Sequence, residues 1–111
     1  MTAVYLSGKY SGDVERNIAV ARGVAIELWE KHFAVFCPHL NTANMEIDCR
    51  ADYQDYIDGD LEILSRFDAI IMLPGWRESK GARIEKEYAQ RLGIPVYYYP
   101  TLPMMPTLTR R

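Results

Sequence analysis

The chain has 111 residues, 49% of them hydrophobic and 25% charged, and a formal net charge of −2 at pH 7. This length provides for one hydrophobic core, so we expect a single domain over residues 1–111. The balanced charge offers no basic surface for polymeric nucleic acid. No apolar run approaches the roughly 20 residues of a membrane-spanning helix, and the first residues lack a secretory signal. We therefore expect a cytoplasmic protein that binds neither membrane nor polymeric nucleic acid.

The two cysteines, Cys37 and Cys49, have neither a metal-binding nor a redox spacing. They are also too few for a disulfide framework. We therefore expect a reducing compartment, no metal site and no cofactor.

Predicted strands and helices alternate along the chain. Short β-rich runs lie at 3–8, 33–38, 69–75 and 95–99, and apolar residues recur with a helical period over 14–32, 53–67 and 81–92. The run 69–75 is almost entirely apolar, as is typical of a strand covered on both faces. This order predicts an α/β fold, a Rossmann-like (flavodoxin-like) three-layer domain with a mainly parallel sheet of four or five strands.

Two of the predicted helices carry an acidic residue in the middle of an apolar stripe. At roughly 100° per residue, Glu85 falls among the apolar residues of 81–92, and Asp60 among those of 53–67. Burial of an unpaired carboxylate is costly. Each acid alone could cap a helix or pair with a buried arginine, but no basic residue lies on a clearly apolar arc. We favour two carboxylates that face one cleft, as cleavage of a glycosidic bond requires.

Ligands of parallel α/β sheets bind outside the carboxyl ends of the strands. The stretch SGKYSGD at 7–13 follows the first strand, and its backbone N–H groups could hold a phosphate or simply form a turn. Ser79 is expected to cap the helix 81–92, with a phosphate contact as the alternative. His39, after the second strand, could be a base or a structural residue.

The stretches YLSGKYSG and GDLEILSRFDAIIMLPGWRESKGARIEKEYAQRLGIPV resemble the nucleoside 2-deoxyribosyltransferase-like superfamily. Within it, the chain is similar to a group of small phage and bacterial proteins often described only as a domain of unknown function. It is also similar to the 2'-deoxynucleoside 5'-phosphate N-hydrolases. The most specific part of the resemblance is LPGWRESKGARIE.

The resemblance implies three catalytic residues. Glu85 matches the glutamate that attacks the anomeric carbon, and Asp60 matches the aspartate that handles the base or the leaving group. Tyr5 matches a tyrosine that contacts the sugar or directs the nucleophile. Substrate binding is implied for a larger set: Gly8, Lys9, Ser11, Gly12, Pro74, Gly75, Trp76, Ser79 and Gly81.

Ser79 bears on the substrate. Transferases that act on free nucleosides tend to have an aspartate at this position, whereas the monophosphate hydrolases have serine. The resemblance thus favours a 5'-monophosphate, although the loop 9–13 lacks the arginine of the hydrolases and has Lys9 as its only cation. Trp76 could stack on a base or cover the core, and Arg77 or Lys80 could meet the phosphate or solvent.

We therefore expect an N-glycosidase that releases the base from a (deoxy)nucleoside 5'-monophosphate. The alternatives are a deoxyribosyltransferase that moves the sugar between bases, and a nucleotide-binding module or sensor without turnover. An interaction protein would leave both acids unexplained. The partner is a small nucleoside or nucleotide, and relatives lead us to expect a homodimer or higher homo-oligomer. The Pro- and Met-rich tail 100–111 is either loose or packed at a subunit interface.

Overall fold

The structure is a computed structural model that describes residues 1–101, so the predicted tail from residue 102 onward lies outside the described residues. The strands are β1 (Ala3–Ser7), β2 (Ala34–Phe36), β3 (Ala69–Met72) and β4 (Val96–Tyr98). The α-helices are α1 (Val14–Glu30), α2 (Pro38–Asn41), α3 (Tyr53–Leu64) and α4 (Lys80–Arg91), with 3₁₀ turns at Met45–Ile47 and Trp76–Glu78. Within residues 1–101, no helix is long and apolar enough to cross a membrane.

The four strands form one parallel sheet in the order β2-β1-β3-β4. Strand β1 is central: Tyr5 is in register with Phe36 of β2 on one side and with Ile70 of β3 on the other. The chain crosses over through a helix between parallel strands, as such sheets require. The predicted α/β fold and parallel sheet are confirmed, with four strands in the described part of the chain.

Helices cover both faces of the sheet. Successive residues of a strand point to opposite faces, so each strand contributes side chains to the core on both sides. On one face, Val4 and Leu6 of β1 pack in a core with Leu28 of α1. On the other face, Tyr5 packs in a second core with residues of α3 and α4, including Leu64. This is the expected three-layer arrangement, and it places α3 and α4 together on the Tyr5 face.

The helix starts are fixed by side-chain caps. The Asp13 carboxylate accepts a hydrogen bond from the Arg16 N–H at the start of α1. Asp52 and Asp55 form a capping box at the start of α3, and Ser79 caps α4 as predicted. Such caps satisfy N–H groups that have no partner within the helix. The cap at Ser79 sets where α4 begins, and therefore where Glu85 lies.

Candidate active site

A cavity of about 510 Å³ opens at the carboxyl end of the sheet. Its wall comes from the loop after β1, from α2 and the segment that follows it, from α3, and from the first turns of α4. Six of the catalytic and binding residues implied by the resemblance line it: Gly8, Ser11, Asp60, Ser79, Gly81 and Glu85. The two helices on the Tyr5 face therefore bring both acids to one cavity.

Glu85 lies on α4 with only 5% of its surface exposed. The Tyr5 hydroxyl donates a hydrogen bond to its Oε2 at 2.8 Å, and the Ser7 hydroxyl donates one to its Oε1 at 2.5 Å. Both donors are buried and stand two residues apart on β1, so they point to the same face. The buried carboxylate is thus compensated by two neutral hydroxyl groups.

Asp60 lies on α3 and is partly buried at the cavity wall. Within residues 1–101, neither Asp60 nor Glu85 forms an ion pair with a lysine or arginine. A buried arginine partner, the alternative considered from sequence, is therefore absent from the described part of the chain. When either acid is ionised, its negative charge must be balanced by a ligand.

Burial shifts the pKa values of Glu85, Asp60 and Tyr5. Burial raises the pKa of Glu85 to about 7; the hydrogen bonds from Ser7 and Tyr5 oppose this shift, and the charge of Asp60 adds to it. Burial also raises the pKa of Asp60 to about 6. The pKa of Tyr5 is raised far above its usual value by burial and by the two carboxylates, so Tyr5 remains a hydroxyl donor.

The start of α4 forms one wall of the cavity. The Ser79 Oγ accepts the Ala82 N–H at 3.1 Å, while Ser79, Lys80 and Gly81 all line the cavity. A Cβ at Gly81 would lie 3.3 Å from both the Ile57 Cδ1 and the Tyr53 Oη. A helix start with free N–H groups and little side-chain bulk is suited to an anion.

The loop after β1 divides into residues inside and outside the cavity. Gly8 lines it, and a Cβ there would approach the Leu73 Cβ to 2.9 Å, so the close contact requires glycine. Ser11 also lines it. Lys9 and Gly12 do not: the Lys9 Nζ lies 3.3 Å from the Glu78 Oε2 on the surface, and Gly12 adopts φ +94°.

The predicted binding residues Pro74, Gly75 and Trp76 are not part of the cavity wall. Gly75, with φ +88°, begins the 3₁₀ turn after β3. Trp76 packs against the second core, with its ring centroid 5.8 Å from that of Tyr98. The Arg77 guanidinium lies 5.1 Å from the centre of the Trp76 ring. These placements favour the alternative in which Trp76 covers the core.

Sequence reasoning missed most of the cavity wall formed by Tyr10, by α2 and by the segment that follows α2; it had named only His39, as a base or a structural residue. The Tyr10 hydroxyl donates to Glu46 at 2.9 Å and accepts the Asn44 N–H at 2.9 Å. Tyr10 also packs against His39, with ring centroids 5.3 Å apart. His39 is buried and lines the cavity, and burial lowers its pKa, so the ring is neutral.

Tyr53 and Tyr56 of α3 complete this aromatic wall. The segment between α2 and α3 has no periodic pattern to signal it, whereas Ser7 could have been found from its spacing to Tyr5. Burial raises the pKa of Cys37 to about 12, so its thiol remains protonated. Among residues 1–101, no group of three or more histidine, cysteine or acidic side chains could hold a metal ion.

The solved structures that are similar to this one include the following two. A 2-deoxyribosyltransferase from the psychrotolerant bacterium Bacillus psychrosaccharolyticus has 19% sequence identity and a TM-score of 0.63, with 87% of this chain and 71% of that chain covered. A conserved protein from Enterococcus faecalis V583 has 23% identity and a TM-score of 0.67, with 88% of this chain and 62% of that chain covered. The chain thus spans less than two thirds of the latter, and the likeness establishes the fold.

A comparison with curated proteins gives no match. A family model does match: the one described as Domain of unknown function (DUF4406) covers residues 2–98. This agrees with the resemblance seen in the sequence to small proteins of unknown function with a deoxyribosyltransferase-like fold. Because the match spans most of the chain, the protein belongs to the family described as Domain of unknown function (DUF4406).

Proposed function

We propose that this protein cleaves the N-glycosidic bond of a (deoxy)nucleoside 5'-monophosphate and releases the free base. The observation that carries the proposal is the buried Glu85 carboxylate, which is held by two hydroxyl groups and shares a cavity with Asp60. A carboxylate buried without a cation destabilises the fold. Its presence is explained if the charge is used on a substrate.

In the proposed reaction, Glu85 attacks C1' of the sugar. The new C1'–O bond replaces the bond from C1' to the base, and the base departs with the bonding electrons. Asp60 supplies the proton that leaves with the base. Water then attacks C1', breaks its bond to Glu85 and gives up a proton to Asp60, so that both acids return to their starting state.

This reaction requires Glu85 to be ionised while Asp60 is protonated. The pKa values of Glu85 and Asp60 are raised to about 7 and about 6, so near neutral pH the pair binds and releases a proton readily. The hydrogen bonds from Tyr5 and Ser7 stabilise the charged form of Glu85. Because Glu85 has the higher pKa, the productive state with the proton on Asp60 is the less populated of the two singly protonated forms, and we expect a bell-shaped pH profile.

The start of α4 supports a phosphate at the 5' end. Backbone N–H groups of a helix start attract anions, and Ser79 and Lys80 add a hydroxyl and a positive charge on the cavity wall. Serine at position 79 also introduces no negative charge that would repel a phosphate. The aromatic wall of Tyr10, Tyr53 and Tyr56 offers flat surfaces for the base.

The test is chromatography of free base released from a panel of nucleosides and their 5'-monophosphates. We expect release from at least one monophosphate, faster than from its nucleoside, and none with Glu85→Gln. Release from the nucleosides only would contradict the phosphate part of the proposal. Binding without release from any substrate would instead favour a nucleotide sensor.

The second candidate is transfer of the sugar to another base. It is favoured by the fold shared with a protein named as a 2-deoxyribosyltransferase, because hydrolysis and transfer have the same first step. Addition of a free acceptor base separates the two: a transferase forms a new nucleoside or nucleotide, whereas a hydrolase forms only the free sugar product.

We also propose that the protein forms at least a homodimer. Met45, Ile47 and Tyr53 expose large apolar side chains on or near the segment that covers the cavity. A neighbouring subunit could cover these residues and close the site. Multi-angle light scattering at high micromolar concentration tests this, and a monomer there would contradict it.

A further inference from the structure

Resting on the proposed function, we propose that Ser7 is a positioning residue for the Glu85 nucleophile: its hydroxyl fixes one carboxylate oxygen and stabilises the charged form that attacks the sugar. Ser7 is the last residue of β1 and was given no role by the sequence. It acts through Glu85 and does not line the cavity itself.

The geometry of the carboxylate supports this role. The Ser7 hydroxyl donates to Oε1 at 2.5 Å, the shorter of the two hydrogen bonds to Glu85. Each carboxylate oxygen therefore has its own hydroxyl donor, and the two donors project from the same strand. Two donors on a rigid strand fix the orientation of the carboxylate plane. With a single donor, the carboxylate could still rotate about the bond that joins it to the side chain.

The burial of Ser7 and Glu85 determines how strongly the Ser7 hydroxyl stabilises the charged carboxylate. Ser7 is 1% exposed, so water cannot replace its hydroxyl if it is removed. A hydrogen bond from a hydroxyl to an ionised carboxylate is stronger than one between neutral groups. It favours the charged form of Glu85 at a position where burial favours the neutral form.

The titratable groups that interact with Glu85 provide no positive charge; Lys80 lines the same cavity but does not form an ion pair with Glu85. Tyr5 faces it from β1, Asp60 from α3, and Cys37 from the end of β2. The tyrosine and the thiol are neutral near pH 7, and Asp60 disfavours the charge on Glu85. Stabilisation of the nucleophile thus depends on the hydroxyls of Tyr5 and Ser7.

The test measures Glu85 directly, without turnover. With ¹³C-labelled glutamate, the side-chain carboxyl of Glu85 is titrated by NMR, and its resonance is assigned by its absence from Glu85→Gln. Removal of the hydroxyl in Ser7→Ala should raise the pKa of Glu85 by about one unit or more. Ser7→Cys keeps a side chain of similar size but a weaker donor, and should give a smaller rise.

Thr2→Val is the matched control. Thr2, the residue before β1, is also buried, and its hydroxyl has no hydrogen-bond partner among residues 1–101. Loss of this hydroxyl should leave the pKa of Glu85 unchanged. The acid limb of the base-release profile should move to higher pH in Ser7→Ala only, with a lower kcat near neutral pH and a similar KM.

The outcomes separate the two proposals. An unchanged Glu85 titration in Ser7→Ala and Ser7→Cys would overturn the role of Ser7, whatever the base-release assay shows. An equal shift in Thr2→Val would do the same, because it would reflect a general change in the fold. A shift confined to the Ser7 variants, in a protein that releases no base, would support the positioning role and overturn the proposed reaction.

Discussion

The two faces of the central strand are used in different ways. Val4 and Leu6 of β1 point into an apolar core under α1, whereas Tyr5 and Ser7 point towards α4 and bind Glu85. Both faces are buried by helices on the same sheet. The α1 face shows that this sheet can be covered without a buried charge. We therefore expect the carboxylate on the α4 face to serve the proposed reaction and not the stability of the fold.

The largest effect should come from Glu85→Gln, which keeps the shape of the side chain and removes its charge. We expect base release to fall by several orders of magnitude, because the covalent step itself is lost. Stability should be maintained or increased, since the partners of Glu85 are neutral hydroxyls and no cation is left unpaired. Base-release rates and thermal melts measure both effects.

This variant also tests a purely structural role for Glu85. If the carboxylate held the fold together, its loss would lower stability by about 3–5 kcal/mol, as when a buried pair is broken. A variant that melts far lower but releases base at the parent rate per folded molecule would end the assignment of Glu85 as nucleophile.

A substitution in the core on the α1 face should lower stability and leave base release unchanged, the reverse of the effect of Glu85→Gln. Leu28 of α1 is fully buried among apolar residues, and Leu28→Ala should destabilise the protein by about 2–5 kcal/mol through lost contacts and a cavity. The rate of base release per folded molecule should remain close to that of the parent. Urea unfolding combined with activity measurements checks this, and a specific loss of activity would contradict the division between the two faces.

The dependence of stability on pH should also originate on the α4 face. The folded-state pKa of Glu85 is raised from 4.5 to about 7, so the folded state binds more protons than the unfolded state between these values. Stability therefore falls as pH rises from about 4.5 through 7, by roughly 3 kcal/mol for this group. Asp60 contributes in the same direction.

Glu85→Gln should flatten this pH dependence, and Leu28→Ala should leave its slope unchanged. Urea midpoints measured from pH 4 to pH 8 give the comparison. An equal slope in the parent and in Glu85→Gln would show that the pKa of Glu85 is not raised by folding.

The sequence predicted the fold well, because strand and helix periods alternate along most of the chain from β1 to β4, apart from the irregular segment between α2 and α3. It also predicted that Glu85 and Asp60 face one cleft, since an acid on an apolar stripe stands out on a helical wheel, and both acids line one cavity; their catalytic roles stay a prediction. The partners of Glu85 were harder to predict. Tyr5 came only from the resemblance, and Ser7 was missed because a serine at the end of a strand is equally typical of a turn.

The wall with Tyr10 and Glu46 could not be predicted from periodicity. It is held by contacts between residues far apart in sequence, such as the hydrogen bond from Tyr10 to Glu46. The segment that carries Glu46 is short and irregular, so no local pattern fixes its position. Trp76 was a predicted binding residue because it belongs to the most specific motif, yet the structure places it against the second core.

The smallest expected effect comes from removal of a helix cap, and one cap from each face of the sheet is compared. Ser79→Ala and Asp13→Ala each remove a side chain that accepts a backbone N–H at a helix start, in α4 and α1 respectively. Each should lower stability by about 1 kcal/mol. Only Ser79 lines the cavity, so only Ser79→Ala should raise KM for a 5'-monophosphate, by about tenfold or less for one lost hydrogen bond. KM for the free nucleoside should change less, because the phosphate contact is absent. Steady-state kinetics on both substrates tests this, and equal KM changes in the two variants would remove Ser79 from the phosphate site.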